Sequence, residues 1–357
     1  NRAAGALTFS LAIGASYFFQ IAKFRALRLL WARAVESFGG GKEHAKAVIF
    51  ARTSRWNKTI YDPHVNVLRE TTEAMSAALG GADAISVAPF DESYATPDDA
   101  SRRLARNTQI ILKEEAQLAR VADPGGGSYY LEVITDFFAR EAWKKMQSIE
   151  TAGGFTKFKA DGLLYAEIGK SRAEHEKAIN TRRRTLVGTN QYPNPKETAL
   201  DRINPERVHS GYRGARAFED LRLRTEQYVK KGGKNPRFLL AEIGDPRMRS
   251  ARSNFAANFF GCAGFDIITE RFESVGAIAG AEAEVIVLCS SDPEYPALAS
   301  ELIGQLKKAG RKTPVIVAGY PESVEQLKAA GVADFIHIRS NPIETLASWQ
   351  QRLQIGN

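Results

Sequence analysis

Short apolar runs alternate along the chain with longer stretches in which apolar residues recur at helical spacing, in the order strand then helix. In the first 150 residues the runs at 7–13, 46–52, 84–87 and 118–122 read as strands. A helix over 15–38 would carry Phe18, Ile21, Ala22, Leu29 and Ala32 on one side. The next is expected to start at Asp62-Pro63, a capping residue with proline behind it, and to bury Val65, Leu68, Thr72, Met75 and Leu79. Thr96-Pro97-Asp98-Asp99 caps a helix through Leu104 and Ile110, and another covers 131–149. Four β-then-α units predict an α/β fold with a parallel sheet, and their spacing suits half of a barrel better than an open sheet. Half a barrel leaves strand edges unpaired, so earlier residues of the same chain, rather than another chain, are expected to complete it.

The pattern restarts near the carboxyl end. Phe238 to Ile243 is an apolar run broken by Gly244-Asp245-Pro246, and a helix over 249–260 places Ala251, Phe255, Ala256 and Phe259 at helical spacing. Strands at 266–269, 284–288, 315–318 and 334–338, with helices at 294–309 and 323–330, predict an open flavodoxin-like sheet of order 2-1-3-4-5. Its first loop, 244–250, lies at the carboxyl end of a strand, where such sheets bind ligands. That loop lacks the glycine fingerprint of a dinucleotide site. Between the two blocks run a basic helix near 170–184, a stretch rich in Asn, Pro and Arg, a helix near 217–229 and a polar hinge at 230–235. The expected division is therefore 1–150, a linker over 151–235 that could equally be a partner-binding arm, and 236–357.

Composition narrows the class. The 357 residues are 44% hydrophobic and 25% charged, enough for two domains with real cores. No apolar run reaches membrane-spanning length, since Leu7 to Ile21 is interrupted by Gly14, Ser16 and Gln20, and a cytoplasmic protein is expected. The formal charge of +8 is scattered apart from Arg182-Arg183-Arg184, without an aromatic-interleaved platform, so nucleic acid is not an expected partner. Cys262 and Cys289 indicate neither a disulfide framework nor a zinc site and read as buried thiols. The chain starts at Asn1, and a longer parent is expected.

Several segments resemble the methylmalonyl-CoA mutase family: LTFSLAIGASYFFQIAKFRALRLLWA, TSRWNKTIYDPHVNVLRETTEAMSAA, DESYATPDDASRRLARNTQIILKEE and RVADPGGGSYYLEVIT. The resemblance implies the second half of an acyl-CoA-binding TIM barrel, then a flavodoxin-like domain of the cobalamin-binding type. In that family the loop at 244–250 carries Asp-x-His-x-x-Gly, whose histidine ligates the corrin cobalt. Here Asp245 is present, but Met248 or Arg249 stands at the histidine, and neither replaces an oriented imidazole. Ser290 and Ser291 match the family's second loop, and Ala318-Gly319 stands at a Gly-Gly pair. In the barrel half, the histidine that bonds the thioester carbonyl falls on Phe50, and a glutamine falls on Arg52. A second glutamine falls on Asp83, an arginine on Ala6, and a serine on Thr8.

Phe50 can neither donate to nor accept from an oxyanion. Read alone it is a buried strand aromatic, and together with its neighbours it implies a barrel interior filled by side chains. No catalytic residue, no metal ligand and no bound cofactor are expected in this chain. The expected function is a non-catalytic small subunit of a heterodimeric methylmalonyl-CoA mutase. Its partner would be a homologous large subunit holding adenosylcobalamin and acyl-CoA. Two alternatives remain open: a catalytically active adenosylcobalamin-dependent acyl-CoA mutase fragment, and a binding module for CoA or another anion.

Overall fold

The computed structural model describes residues 2–356; Asn1 and Asn357, the outer bounds of the expected domains, lie outside the described residues. The chain forms two compact units, Asn1–His175 with Ile203–Gly214, and Glu176–Arg202 with Ala215–Asn357. Residues of the expected linker thus occur in both. Both units are α/β with parallel sheets.

In the first unit the order is α1 (Arg2–Gly5), β1 (Thr8–Ile13), α2 (Tyr17–Ser37), β2 (Val48–Thr53), α3 (Val65–Leu79), β3 (Ala84–Ser86), α4 (Asp99–Ile110), α5 (Tyr129–Thr151), α6 (Gly154–Ala160), α7 (Leu163–Asn180), whose residues from Glu176 onward count with the second unit, and α8 (Pro205–His209). The strands run parallel in the order β1-β2-β3, with Ser10 opposite Phe50 and Phe50 opposite Ala84. Successive side chains alternate across a strand, which sorts these residues into two faces. Phe9, Leu11, Ile13, Ile49, Ala51 and Ile85 pack with Phe24 of α2 and Ala77 of α3 into one core. The other face, with Thr8, Ser10, Ala12, Val48 and Arg52, is exposed.

Three expectations fail here for local reasons. Residues 118–122 form turns, not a fourth strand. After α4 the helix loosens into a π turn at Ile111–Glu115, Gln117 takes φ 55°, and the Leu118 N–H folds back onto the Leu112 carbonyl at 3.0 Å. Asp62 does not cap α3; its φ of 46° places it in a turn whose carbonyl accepts from Val65. The helix faces are also rotated. In α2, Ile21, Ala22, Phe24, Ala26 and Val35 are buried while Phe18 and Leu29 stand about half exposed.

In α3 the buried side is Asn66, Glu70, Glu73, Ala74, Ser76 and Ala77, and Leu68 is exposed. A polar set was buried because it has partners. Lys58 Nζ donates to both Glu73 oxygens at 2.9 and 2.8 Å, Asn57 Nδ2 adds a bond of 2.6 Å to Glu73, and Asn66 Nδ2 donates to the Thr59 and Phe90 carbonyls. Periodicity alone does not disclose such partners.

The second unit contains α9 (Arg216–Lys230), β4 (Arg237–Glu242), α10 (Pro246–Gly261), β5 (Asp266–Arg271), α11 (Val275–Gly280), β6 (Val285–Cys289), α12 (Tyr295–Lys308), β7 (Val315–Val317), α13 (Val324–Ala330), β8 (Asp334–Phe335) and α14 (Pro342–Arg352). Its five parallel strands lie in the order β5-β4-β6-β7-β8. Every residue of β6 is buried, as continuous apolar runs in a two-faced parallel sheet require. On one face Leu239, Ile286 and Leu288 meet Ile278, Leu302 and Leu327. On the other, Phe238 stacks on Phe265 at 4.5 Å and touches Phe260 and the edge of Trp349. Helices α11 and α14 escape the apolar pattern, one by being six residues long and the other by burying Gln350, which donates to the Leu221 carbonyl and Thr225 Oγ1 of α9.

Among the described residues no helix is long and apolar enough to cross a membrane. Both cysteines are buried and free, and burial pushes the Cys262 thiol up to about 12.

The polar core of α3 makes two predictions. Lys58→Ala leaves Glu73 as an uncompensated buried charge and should cost about 3–5 kcal/mol in urea denaturation. Burial raises the Glu70 carboxyl from 4.5 to about 8, with Glu73, Glu92 and Asp91 adding to the rise and Lys58 opposing it. The folded state therefore holds a proton that the unfolded chain releases, and stability should fall as pH rises from about 4.5 to 8. Glu70→Gln should flatten that slope, read by denaturation midpoints across the pH range.

Candidate functional site

The carboxyl ends of β4, β6 and β7 converge, and their loops are tied together by side chains from the start of α12. Gly244 follows β4 at φ 79°, a conformation glycine adopts freely. A Cβ there would sit 2.5 Å from Glu294 Oε2 and 2.6 Å from Ser290 Oγ, so the backbone of the β4 loop is pressed against these two side chains. Glu294 Oε2 accepts from Ser290 Oγ at 2.6 Å, Ser291 Oγ at 2.5 Å, the Ser291 N–H at 3.2 Å and the Asp245 N–H at 3.2 Å. These bonds, the two hydroxyls first, hold its carboxyl down at about 2. Next to it Tyr295 accepts from the Ser290 N–H at 3.1 Å and donates to the Ala318 carbonyl at 2.7 Å, joining the β6 and β7 loops.

The expected site residues fall within this arrangement in definite roles. Asp245 is the N-cap of α10, its carboxylate accepting from the Met248 N–H at 2.7 Å, with Pro246 at the first helical position. Met248 is half-buried, and Arg249 Nη1 reaches back to the Gly244 carbonyl at 3.2 Å. Ser290 is fully buried. Gly319 is hemmed in by Asp292 and Tyr295, each 3.1 Å from where a Cβ would stand, and Asp292 is bridged to Arg252 at 2.9 Å. Glu294, Tyr295, Arg252 and Asp292 were not foreseen. Ser291-x-x-Glu294 is nevertheless a capping-box spacing, and that signal could have found the glutamate.

His337 lies just beyond the carboxyl end of β8, with two strands, β6 and β7, between β8 and β4. Its ring lies 4.6 Å from that of Tyr320, and its Nδ1 accepts from the Arg339 N–H. Among the described residues no group of three or more His, Cys, Asp or Glu is placed to hold a metal ion.

In the first unit Thr8, Phe50 and Arg52 share the open face of the sheet, at the amino end, middle and carboxyl end respectively. Phe50 is half-buried, not a core aromatic as its apolar run suggests, because even-numbered positions of β2 face away from the helices. Arg52 is paired with Glu92 at 2.6 Å. Asp83 stands apart, before β3, where its carboxylate binds Arg28 at 2.7 Å and accepts the Ile49 N–H at 2.8 Å. It clamps strand to helix. Ala6 is exposed just ahead of β1.

Residues 1–231 match the family described as Methylmalonyl-CoA mutase. The chain is 42% identical to the methylmalonyl-CoA mutase small subunit of Porphyromonas gingivalis, an alignment covering 99% of this chain and 59% of that one. It is 36% identical to a probable methylmalonyl-CoA mutase small subunit of Mycobacterium tuberculosis, over 97% of this chain and 57% of the relative. The methylmalonyl-CoA mutase large subunit of P. gingivalis is 38% identical over 60% of this chain and 30% of its own length. The chain therefore spans somewhat over half the length of its small-subunit relatives.

The serine pair makes Glu294 a test of this geometry. Its carboxyl should titrate near 2 in a carbon-detected NMR titration, and Ser290→Ala with Ser291→Ala should move the midpoint back toward 4.5. Because its folded value is depressed, its contribution to stability is present above about 4.5 and is lost as pH falls toward 2.

Proposed function

The chain belongs to the methylmalonyl-CoA mutase family, and on that footing we propose that it is the non-catalytic small subunit of a two-chain mutase. Its partner in this reading is a homologous large subunit that binds adenosylcobalamin and interconverts methylmalonyl-CoA and succinyl-CoA. Residues 1–150 would be the second half of a TIM barrel, 151–235 a linker, and 236–357 a flavodoxin-like domain of the cobalamin-binding type. That two subunits of a mutase exist in one organism, each similar to this chain, supports the pairing.

The observation that carries the proposal is the occupied end of β4. The residues there do not fit a corrin. An axial ligand needs an imidazole whose second nitrogen is held by a carboxylate. The positions available are Met248 and Arg249, and the loop's own carboxylate, Asp245, already accepts the Met248 N–H. The approach over Gly244 is taken by Glu294 and Ser290. At the other candidate site Phe50 offers no donor to a thioester oxyanion, and Arg52 is neutralised by Glu92. The side chains at both places serve the fold.

A direct test uses the full chain with adenosylcobalamin, followed by gel filtration. No corrin absorbance should elute with the protein, and restoring Phe50→His should yield no turnover. Co-expression with a large subunit carrying Asp-x-His-x-x-Gly should give a complex that binds the cofactor. Retained corrin absorbance with the chain alone would overturn the proposal and favour an active mutase.

A further inference from the structure

The basic triplet Arg182-Arg183-Arg184 is not a uniformly solvated face. Arg182 is half-buried and adopts φ 59°, a left-handed conformation that is unfavourable for a non-glycine residue and persists where surrounding contacts enforce it. Here the enforcement is visible. Its Nη2 donates to Gln191 Oε1 at 2.6 Å and Asn258 Oδ1 at 2.9 Å, and the guanidinium lies 5.9 Å from the rings of both Phe255 and Phe259. Both partners are neutral amides, and Nε is buried with no hydrogen-bond partner among the described residues. Burial lowers the pKa of this guanidinium, so its charge is held at a cost that an arriving anion would relieve.

Arg182 lines a cavity of about 270 Å³ within the second unit, which also takes in Arg183, Gln191, His337 and Ser340 over the Phe255–Phe259 floor. No carboxylate lines it. Beyond the two bonds made by Arg182 Nη2, donors here are unspent. Arg183 is exposed with no ion pair among the described residues, and the His337 Nδ1 accepts from the Arg339 N–H, which leaves Nε2 as a donor in the neutral ring. Ser340 Oγ accepts from the His337 N–H at 3.0 Å, and its own proton remains to donate. The contrast with other cavities is informative. One near α2 and α5 also gathers cations, but Arg33, Arg140 and Lys144 there are paired with Glu36, Asp136 and Glu141. Another, beside α9, mixes Arg222 and Lys230 with Glu197, Asp201 and Glu226.

The geometry points to a binding site for a phosphate monoester in this cavity, with Arg182 and Arg183 on the phosphate oxygens, His337 and Ser340 as further donors, and a flat organic group against the half-buried Phe255, which Phe259 backs from the core. Two guanidiniums set beside an imidazole and a hydroxyl, with no carboxylate in the lining, offer more positive charge than a monoanion neutralises and match a tetrahedral dianion. A concave pocket of about 270 Å³ favours a small molecule over a polynucleotide. The site is separate from the β4 crest and does not depend on the subunit role proposed above.

Isothermal titration of the full chain with adenosine 5′-monophosphate, adenosine and inorganic phosphate tests this. The monophosphate should bind one per chain and more tightly than inorganic phosphate, adenosine should give no heat, and added salt should weaken binding. Arg183→Gln, at an exposed position with no ion pair among the described residues, should weaken the monophosphate about tenfold, the worth of a charge-assisted hydrogen bond. Arg182→Gln should weaken it further, and if that variant unfolds, His337→Gln supplies the second arm. Equal affinity for adenosine and its monophosphate, or affinity unchanged by Arg183→Gln and His337→Gln, would overturn the site. So would an RNA oligonucleotide binding more tightly than the monophosphate.

Discussion

In a parallel sheet every strand ends on the same edge, so the loops that leave β4, β6 and β7 must share one crowded crest. Glu294 resolves the crowding. One carboxylate oxygen gathers two hydroxyls and two backbone N–H groups, and it presses against a glycine whose left-handed backbone leaves room for it. Four donors on one ionised oxygen keep the group charged at all but acid pH, and the charge in turn orders the β4 and β6 loops. Asp245 then caps α10, and Tyr295 bridges the β6 and β7 loops from the opposite side. The crest is thus knit into one hydrogen-bond network around Glu294 and Tyr295, with only the Nε atoms of Arg249 and Arg252 buried beside it without a partner among the described residues.

That closure bears on chemistry. A site for a large cofactor needs donors and space left over by the fold, held ready by neighbours. At the end of β4 the fold uses the donors itself. At the cavity by β8 it does not: two arginines, an imidazole and a hydroxyl face a space without a countercharge. Within one sheet, then, the loops at its centre and the loop beyond its β8 edge differ in how far polar groups are spent on structure.

The first unit follows another constraint. Its three strands present an apolar face to α2 and α3 and a mixed face on the other side, so alternation in β1 and β2 reports one-sided burial. Phe50 belongs to the open face, which is why it is only half covered. The core beneath is partly ionic. Lys58 and Glu73 are nearly inaccessible and neutralise each other at 2.8 Å, with Glu70 close by in a form that favours its proton.

What the sequence determined by itself was the order of elements, the α/β class of both units, the parallel arrangement, the family and the loss of an imidazole near 245, because these rest on periodicity, turn residues and identity of side chains. Tertiary structure alone decided which faces are buried. Leu68 is turned outward and Glu73 inward because Lys58 and Asn57, fifteen and sixteen residues away in the chain, complete the hydrogen bonds of the glutamate. Residues 118–122 are apolar enough for a strand, but a π turn and a left-handed Gln117 route them into turns. Glu294 over Gly244, and Arg182 against the Asn258 amide and two rings, likewise bring together residues fifty or more positions apart. Local patterns encode conformation; the balance of desolvation against a distant partner is known only once the chain has closed on itself.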